Sequence, residues 1–278
     1  MRVVFASGKG GTGKTLLSTS LALHMSRAGS RVTYADADVE EPNGHVFLRP
    51  TNVVKSLVTV PLPVMVMPTC SGCGLCQEFC EFNAVISLKD RAVVFPELCH
   101  GCGGCLLVCP EYVLGERGRD VGVMTRGRSG DMDFRMATLH VGEARSAPLI
   151  EALTSSLPAD GVVIVDAPPG TSCSTMAAVR GADLVVLATE PTPFGIHDLK
   201  LAVGMTRALN VPSVVVVNRA DLGSPHVLDL LEKEGLEVLA SIPHERAIAE
   251  AYAHGEMALD VSPSLRRAIE SLERRILQ

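Results

Sequence analysis

The sequence predicts an α/β protein whose mostly parallel sheet, flanked by helices, is interrupted by a small cysteine-rich insertion. Apolar strands alternate with helical segments in both the first and the last part of the 278-residue chain, an order typical of a parallel sheet. A glycine-rich loop separates the first strand from the first helix. Eight of the nine cysteines fall between Cys70 and Cys109, where the alternation stops.

The first elements are a strand, a helix and a second strand. Arg2–Ala6 is apolar, and Lys14–Arg27 carries leucines at helical spacing, with Gly29 just after its end. Residues 31–35 are again apolar and predict the second strand. Residues 41–68 are rich in Pro and Val, and we expect no long regular element there.

The remaining elements frame the cysteines and then resume the alternation. Residues 84–88 and 91–95 flank Lys89 and Asp90 and predict a hairpin. The Gly- and Arg-rich residues 115–130 predict a loop. Further predicted strands are 161–166, 183–188, 213–218 and 237–242, and further predicted helices are 172–179, 195–209, 244–254 and 262–277.

The glycine-rich loop matches G-x-x-x-x-G-K-[ST], the pattern of a phosphate-binding loop. Glycines let backbone N–H groups surround a phosphate, and the following helix N-terminus adds positive potential. A lysine here reaches the β- and γ-phosphates, and the hydroxyl after it binds Mg²⁺. A plain glycine turn is the alternative. The predicted nucleotide-binding residues are Gly8, Gly10, Gly11, Thr12, Gly13, Lys14 and Thr15, the last also a metal ligand.

A second lysine, Lys9, makes this loop resemble that of the MinD, ParA and Mrp family of P-loop ATPases. The resemblance implies an ATP-dependent homodimer in which Lys9 reaches the partner's phosphates. It also implies that Asp38, in residues 34–40, orients the attacking water, and that Asp166, in residues 163–170, completes the Mg²⁺ shell. Lys9, Lys14, Asp38 and Asp166 are therefore the predicted catalytic residues.

Asn218 follows a predicted buried strand in the order Asn-Arg-Ala-Asp. In the family that the chain resembles, an asparagine at this place reads adenine. The order also resembles a guanine-reading N-K-x-D motif with Arg in place of Lys. ATP is therefore the expected nucleotide, and GTP is the alternative.

The cysteines form two runs with the spacing C-x₂-C-x₂-C-x₃-C. In this spacing three cysteines bind one [4Fe-4S] cube, and the fourth binds the other cube. Zinc is the alternative, but two whole runs exceed what a tetrahedral ion needs. Residues 66–112 resemble a bacterial two-cluster ferredoxin, except that Glu81 stands where Pro usually follows the first run. The predicted ligands are Cys70, Cys73, Cys76 and Cys109 for one cluster, and Cys99, Cys102, Cys105 and Cys80 for the other.

Composition and charge argue against two kinds of partner, nucleic acid and membrane. The net charge is −6 and Trp is absent, which argues against nucleic acid. The apolar runs are too short to cross a membrane, and the last helix mixes both charges, so we expect it to pack on the sheet. A cytoplasmic location is expected. We also expect Cys173, the ninth cysteine, to be a buried thiol; the alternative is that it faces its dimer mate in a bridging metal site or thiol relay.

These observations predict a P-loop ATPase domain, residues 1–62 and 114–278, split by a bacterial-ferredoxin-like α+β domain at 63–113. The predicted function is slow ATP hydrolysis that couples dimerisation to electron delivery, or to metallocluster assembly, on an acceptor or client metalloprotein. A non-redox positioning ATPase with structural or sensory clusters is the alternative. A cobyrinate-type amide synthetase ranks last because the chain leaves no room for a glutaminase domain.

Overall fold

The computed structural model describes residues 1–223, 231 and 235–278. The chain divides into two compact units. The first comprises Met1–Ser56, Met124–Thr138 and Ser146–Gln278, and the second comprises Leu57–Val123 and Leu139–Arg145.

Strands and helices mostly alternate in the described part of the first unit. The strands are β1 (Arg2–Ala6), β2 (Val32–Asp36), β3 (Thr51–Met65), β4 (Val85–Ser87), β5 (Ala92–Val94), β6 (Leu114–Ser129), β7 (Met132–Leu139), β8 (Val162–Asp166), β9 (Leu184–Thr189), β10 (Ser213–Asn218) and β11 (Val238–Ile242). The helices are α1 (Lys14–Arg27), α2 (Gly44–Leu48), α3 (Leu75–Phe79), α4 (Gly104–Leu107), α5 (Ala147–Ser155), α6 (Cys173–Val179), α7 (Pro193–Ala208), α8 (Arg246–Ala253) and α9 (Pro263–Leu277), with a 3₁₀ turn at Ala258–Asp260. Of these elements, β4, β5, α3 and α4 belong to the second unit.

Within the described residues, nine strands form one sheet in the order β11-β10-β9-β1-β8-β2-β7-β6-β3. The pairs from β11 through to β7 are parallel, which confirms the mostly parallel sheet. Strand β1 lies between β8 and β9. The carboxyl ends of these strands meet at one edge, where open α/β sheets place their ligands.

The core of the first unit lies between this sheet and its helices. Helix α9 contacts α1 and β11 and buries its apolar face, which comprises Leu265, Ile269, Leu272 and Ile276. Each such side chain contributes about 1.5–3 kcal/mol by burial. The expected packing of this helix on the sheet is confirmed. No helix in the described ranges is long and apolar enough to cross a membrane.

Two sequence expectations were wrong, since residues 51–65 and 114–129 form the long strands β3 and β6. Strand β3 lies at the sheet edge, where Pro61 and Pro63 are tolerated although they lack an N–H. Glycines in β6 let β3 approach closely: a Cβ on Gly127 would lie 2.8 Å from the Thr51 carbonyl oxygen. Composition had suggested loops because Pro and Gly usually break strands. Strand β7 and helix α5 were not predicted from the sequence.

The second unit contains the cysteine runs. Strands β4 and β5 pair antiparallel, which confirms the predicted hairpin. Short helices α3 and α4 lie within the two runs at equivalent places, and each contains the third cysteine of its run. The runs also share backbone conformation, since φ is +68° at both Gly72 and Gly101 and is again positive at Gly74 and Gly103. These glycines adopt turns that side chains disfavour.

Candidate functional site

The glycine-rich loop connects β1 to α1 at the carboxyl edge of the sheet. Gly13 precedes the helix with φ of +97°, in the left-handed region that favours glycine. The loop is packed on both sides. A Cβ on Gly8 would lie 2.3 Å from the Asp198 carbonyl oxygen, and one on Gly13 would lie 2.5 Å from Asn218 Nδ2. The glycines therefore permit the loop's shape as well as its proposed contacts with phosphate.

An open cleft of about 1190 Å³ lies against this loop. Most of the predicted nucleotide residues line it, and so do residues of α8, which sequence reasoning did not single out. Among the predicted residues, Gly10, Gly11, Gly13, Lys14, Thr15, Asp38 and Asn218 line the cleft, together with Arg219, Pro243, Ile248, Ala249 and Tyr252. Gly8, Lys9, Thr12 and Asp166 are not among the described lining residues.

Two buried carboxylates, Asp36 and Asp166, lie side by side at the ends of β2 and β8. The Asp166 Oδ2 atom accepts a hydrogen bond from the Tyr34 hydroxyl at 3.3 Å, whereas its Oδ1 atom is buried with no hydrogen-bond partner among the described residues. Burial raises the pKa of both carboxyls, and the charge of Asp166 raises that of Asp36 further. Sequence reasoning missed Asp36, whose one signal was its place at the end of a strand.

Asp38 lines the cleft two residues beyond Asp36. Burial raises its pKa to about 6, and nearby Lys14 opposes this rise. Such a pKa leaves the carboxylate ionised near neutral pH yet more basic than an ordinary aspartate, as a residue that orients or deprotonates water requires.

Lys9 forms an ion pair with Glu190 of its own chain. Its Nζ atom donates to Glu190 Oε2 at 3.1 Å, and Arg219 Nη1 donates to Glu190 Oε1 at 2.5 Å. Glu190 directly follows β9 and is nearly buried. Sequence reasoning missed Glu190, because it lies 181 residues from Lys9.

Asn218 holds the phosphate loop. Its Nδ2 atom donates to the Thr12 carbonyl oxygen at 3.0 Å, and its Oδ1 atom accepts from the Arg219 backbone N–H at 3.0 Å. Each end of the amide keeps one further hydrogen-bonding position. Since Asn218 also lines the cleft, it is available both to a base and to the loop.

The cysteines of the second unit line two separate cavities. A cavity of about 330 Å³ is lined by Cys70, Cys73, Cys76 and Cys109, and one of about 460 Å³ is lined by Cys80, Cys99, Cys102 and Cys105. Each cavity thus draws three cysteines from one run and the last cysteine from the other. Within the described ranges, no group of three or more His, Cys, Asp or Glu could hold a single metal ion.

Local contacts repeat between the two cysteine sets. The N–H groups of Gly72 and Gly101 donate to Cys70 Sγ and Cys99 Sγ, each at 3.4 Å. Burial raises the pKa of Cys105 to about 11, and its neighbours Cys99, Cys102 and Cys80 act in the same direction. In the other set, burial raises the pKa of Cys76, and nearby Cys109 and Cys73 add to the effect.

Cys173 begins α6 and is exposed. The expectation of a buried thiol is therefore wrong. The residue lies at the start of the helix, where the chain leaves the sheet edge, so its side chain is not covered by the core.

Comparison with known proteins places this arrangement in a family. An uncharacterised protein of Methanocaldococcus jannaschii is 28% identical over 98% of this chain and 96% of its own length. An iron-sulfur cluster carrier protein of Aquifex aeolicus is 23% identical over 91% of this chain and 60% of its own length. The septum site-determining protein MinD of Pyrococcus horikoshii, solved with Mg-ADP, has the same fold at 17% identity, with a TM-score of 0.62 over 99% of this chain and 96% of that chain.

The family assignment rests on most of the chain. Residues 3–259 match the family described as the CobQ/CobB/MinD/ParA nucleotide binding domain. ATP hydrolysis with Mg²⁺ is the activity expected of P-loop proteins of this type. The chain belongs to the CobQ/CobB/MinD/ParA family of P-loop nucleotide-binding proteins.

Proposed function

We propose that this protein is an ATPase that couples nucleotide-dependent dimerisation to electron delivery, or to metallocluster assembly, on a client metalloprotein. The observation that carries the proposal is the presence in one chain of a phosphate-loop cleft and two four-cysteine cavities. The similarity to an iron-sulfur cluster carrier protein supports a metallocluster role over positioning alone.

In the cleft, we assign Lys14 and the loop N–H groups to phosphate, and Thr15 and Asp166 to Mg²⁺. The Asp166 Oδ1 atom, which has no hydrogen-bond partner in the described part of the chain, suits a cation or its water ligands, since a buried carboxylate oxygen without a partner is costly. Bound Mg²⁺ would neutralise charge on the β- and γ-phosphates. Asp38 would orient the attacking water, and Lys9 would reach a partner's phosphates.

In the second unit, we propose an inserted ferredoxin-like domain at 63–113 with one [4Fe-4S] cluster in each cavity. Each cavity is lined by four cysteines, one thiolate for each iron of a cube. N–H donors to sulfur, such as those of Gly72 and Gly101, are a common feature around such clusters. The clusters would supply one-electron carriers.

Iron content tests the metal assignment. Anaerobically reconstituted protein should hold about eight irons per chain, and Cys105→Ser should lose roughly half of them. Cys173→Ser is the matched control, because that cysteine is exposed and lies outside both cavities. Equal iron in Cys105→Ser and wild type would contradict the assignment.

The coupling needs a separate experiment. Lys14→Ala should abolish ATP turnover together with nucleotide-dependent reduction or metallation of a client captured anaerobically. Client transfer that persists unchanged in Lys14→Ala would refute the coupling. The positioning alternative predicts instead that ATP-dependent dimers form and behave normally after the clusters have been removed.

A further inference from the structure

Glu190 forms ion pairs with two side chains from different loops, Lys9 and Arg219. Its carbonyl oxygen accepts from the Thr192 N–H at 2.8 Å, and a Cβ on Gly195 would lie 2.3 Å from that oxygen. The Glu190 side chain is only 11% exposed, against 33% for Lys9 and 46% for Arg219. The carboxylate is therefore the most buried member of the cluster, on a backbone that packs closely, and the two longer side chains reach it from more exposed positions.

The loop that carries Arg219 is packed against the loop that carries Glu190. A Cβ on Gly223 would lie 1.9 Å from the Pro191 carbonyl oxygen, so these two backbones touch. The Arg219 guanidinium is thus held beside Glu190 by the fold. Lys9 belongs to the phosphate loop, but its ammonium donates a hydrogen bond to the Glu190 carboxylate. Lys9 is absent from the described lining of the cleft.

We propose that Glu190 and Arg219 are positioning residues that set when Lys9 is released. Glu190 holds the Lys9 ammonium within its own chain, and Lys9 must leave it to reach a phosphate bound by a second copy. Arg219 keeps its ion pair with Glu190 when Lys9 leaves. Without Arg219, the nearly buried carboxylate would be left with no positive charge beside it, which would be strongly unfavourable. The release step rests on the proposed ATP-dependent dimer.

This arrangement predicts opposite effects for the two positioning residues. Glu190→Gln removes the charge that holds Lys9 and should favour release. Arg219→Gln leaves the carboxylate with Lys9 as its remaining partner in the cluster and should hold Lys9 more tightly. A partly exposed ion pair of this kind corresponds to a change of roughly two- to five-fold in an equilibrium.

Dimerisation of the full chain tests the release step. Sedimentation with a non-hydrolysable ATP analogue should give half-maximal dimer at roughly two- to five-fold lower analogue concentration for Glu190→Gln, and at higher concentration for Arg219→Gln. Lys9→Ala should give no dimer with or without Glu190→Gln. Shifts of both single variants in the same direction, or no shift for Glu190→Gln, would overturn the release step.

Chemical labelling tests the positioning without any dimer. Acylation of Lys9 in protein without nucleotide, followed by mass spectrometry, should be faster in Glu190→Gln and slower in Arg219→Gln, with exposed Lys55 and Lys89 as internal references. A normal labelling response without dimers would refute the proposed dimer and keep the positioning role. Unchanged Lys9 labelling would refute the positioning role itself. If Glu190→Gln fails to fold, Glu190→Asp, which keeps the charge but shortens the reach, should still label faster than wild type.

Discussion

Replacing Asp38 by asparagine is expected to stabilise the protein without Mg²⁺ or nucleotide at about pH 8, and much less at acid pH. The pKa of Asp38 rises from 3.8 to about 6 on folding, mainly by burial. Above pH 6 the carboxyl is charged in both states, so folding bears the full cost of burying that charge. Below pH 3.8 it is protonated in both states and the cost vanishes.

The size of the effect follows from that difference in pKa. At about 1.4 kcal/mol per pKa unit, complete burial would give about 3 kcal/mol. Asp38 is only half-buried, and solvent screening reduces this to about 1–1.5 kcal/mol. At about pH 4.5 roughly a third of the gain should remain, because the folded-state carboxyl is then mostly protonated.

Urea unfolding of the full chain in EDTA, followed by far-ultraviolet circular dichroism at the two pH values, measures this gain. Asp131→Asn is the matched control, since Asp131 is exposed on the turn between β6 and β7, and it should change stability little at either pH. A gain from Asp38→Asn that is equal at both pH values, or a loss at about pH 8, would refute the reasoning.

Two further outcomes are expected. The value of kcat/KM for ATP hydrolysis should fall as pH decreases through about 6, because the Asp38 carboxylate is lost on protonation; residual activity of Asp38→Asn that keeps the same acid limb would contradict this. Gly13→Ala should destabilise more than Gly11→Ala in urea unfolding. Both glycines have positive φ, a conformation that costs alanine roughly 1 kcal/mol. At Gly11 an added Cβ would meet no atom within 4 Å, whereas at Gly13 it would meet Asn218 Nδ2. This clash should add about 1–3 kcal/mol of destabilisation at Gly13 alone. An equal loss of unfolding free energy in the two variants would contradict this expectation and show that the Asn218 side chain moves aside at no cost.

The sequence predicted most elements of the sheet and failed where tertiary contacts decide. Helix α1 has the predicted bounds, because the phosphate loop marks its start and Gly29 its end. Strand β6 was missed because its glycines read as a loop, whereas Gly127 serves close packing against Thr51. That function of a glycine depends on a partner strand far away in the chain, which local composition does not reveal.

In the candidate site, too, the sequence predicted what local patterns determine and missed what depends on tertiary contacts. A local motif predicted Lys14, and the resemblance to a known family predicted Asn218; both line the cleft. The partner of Lys9 could not be predicted, because Glu190 comes from the end of another strand and an isolated glutamate in a loop carries no signal. Pairing of charges across a sheet edge requires the strand order, which was known only from the structure.

The buried carboxylates connect the charge of the site to the chain segment that carries Asp38. Asp36 accepts from the Asp38 N–H at 3.2 Å and from the Gly44 N–H at 2.8 Å, so it ties both ends of residues 38–44. Hydrogen bonds to an ionised carboxylate are roughly twice as strong as those to a neutral one. A cation beside Asp166 would favour ionisation of both carboxyls, since it opposes both the burial and the repulsion by Asp166 that raise the pKa of Asp36. Binding of such a cation would therefore strengthen the hydrogen bonds from residues 38 and 44 to Asp36 that hold Asp38 at the cleft.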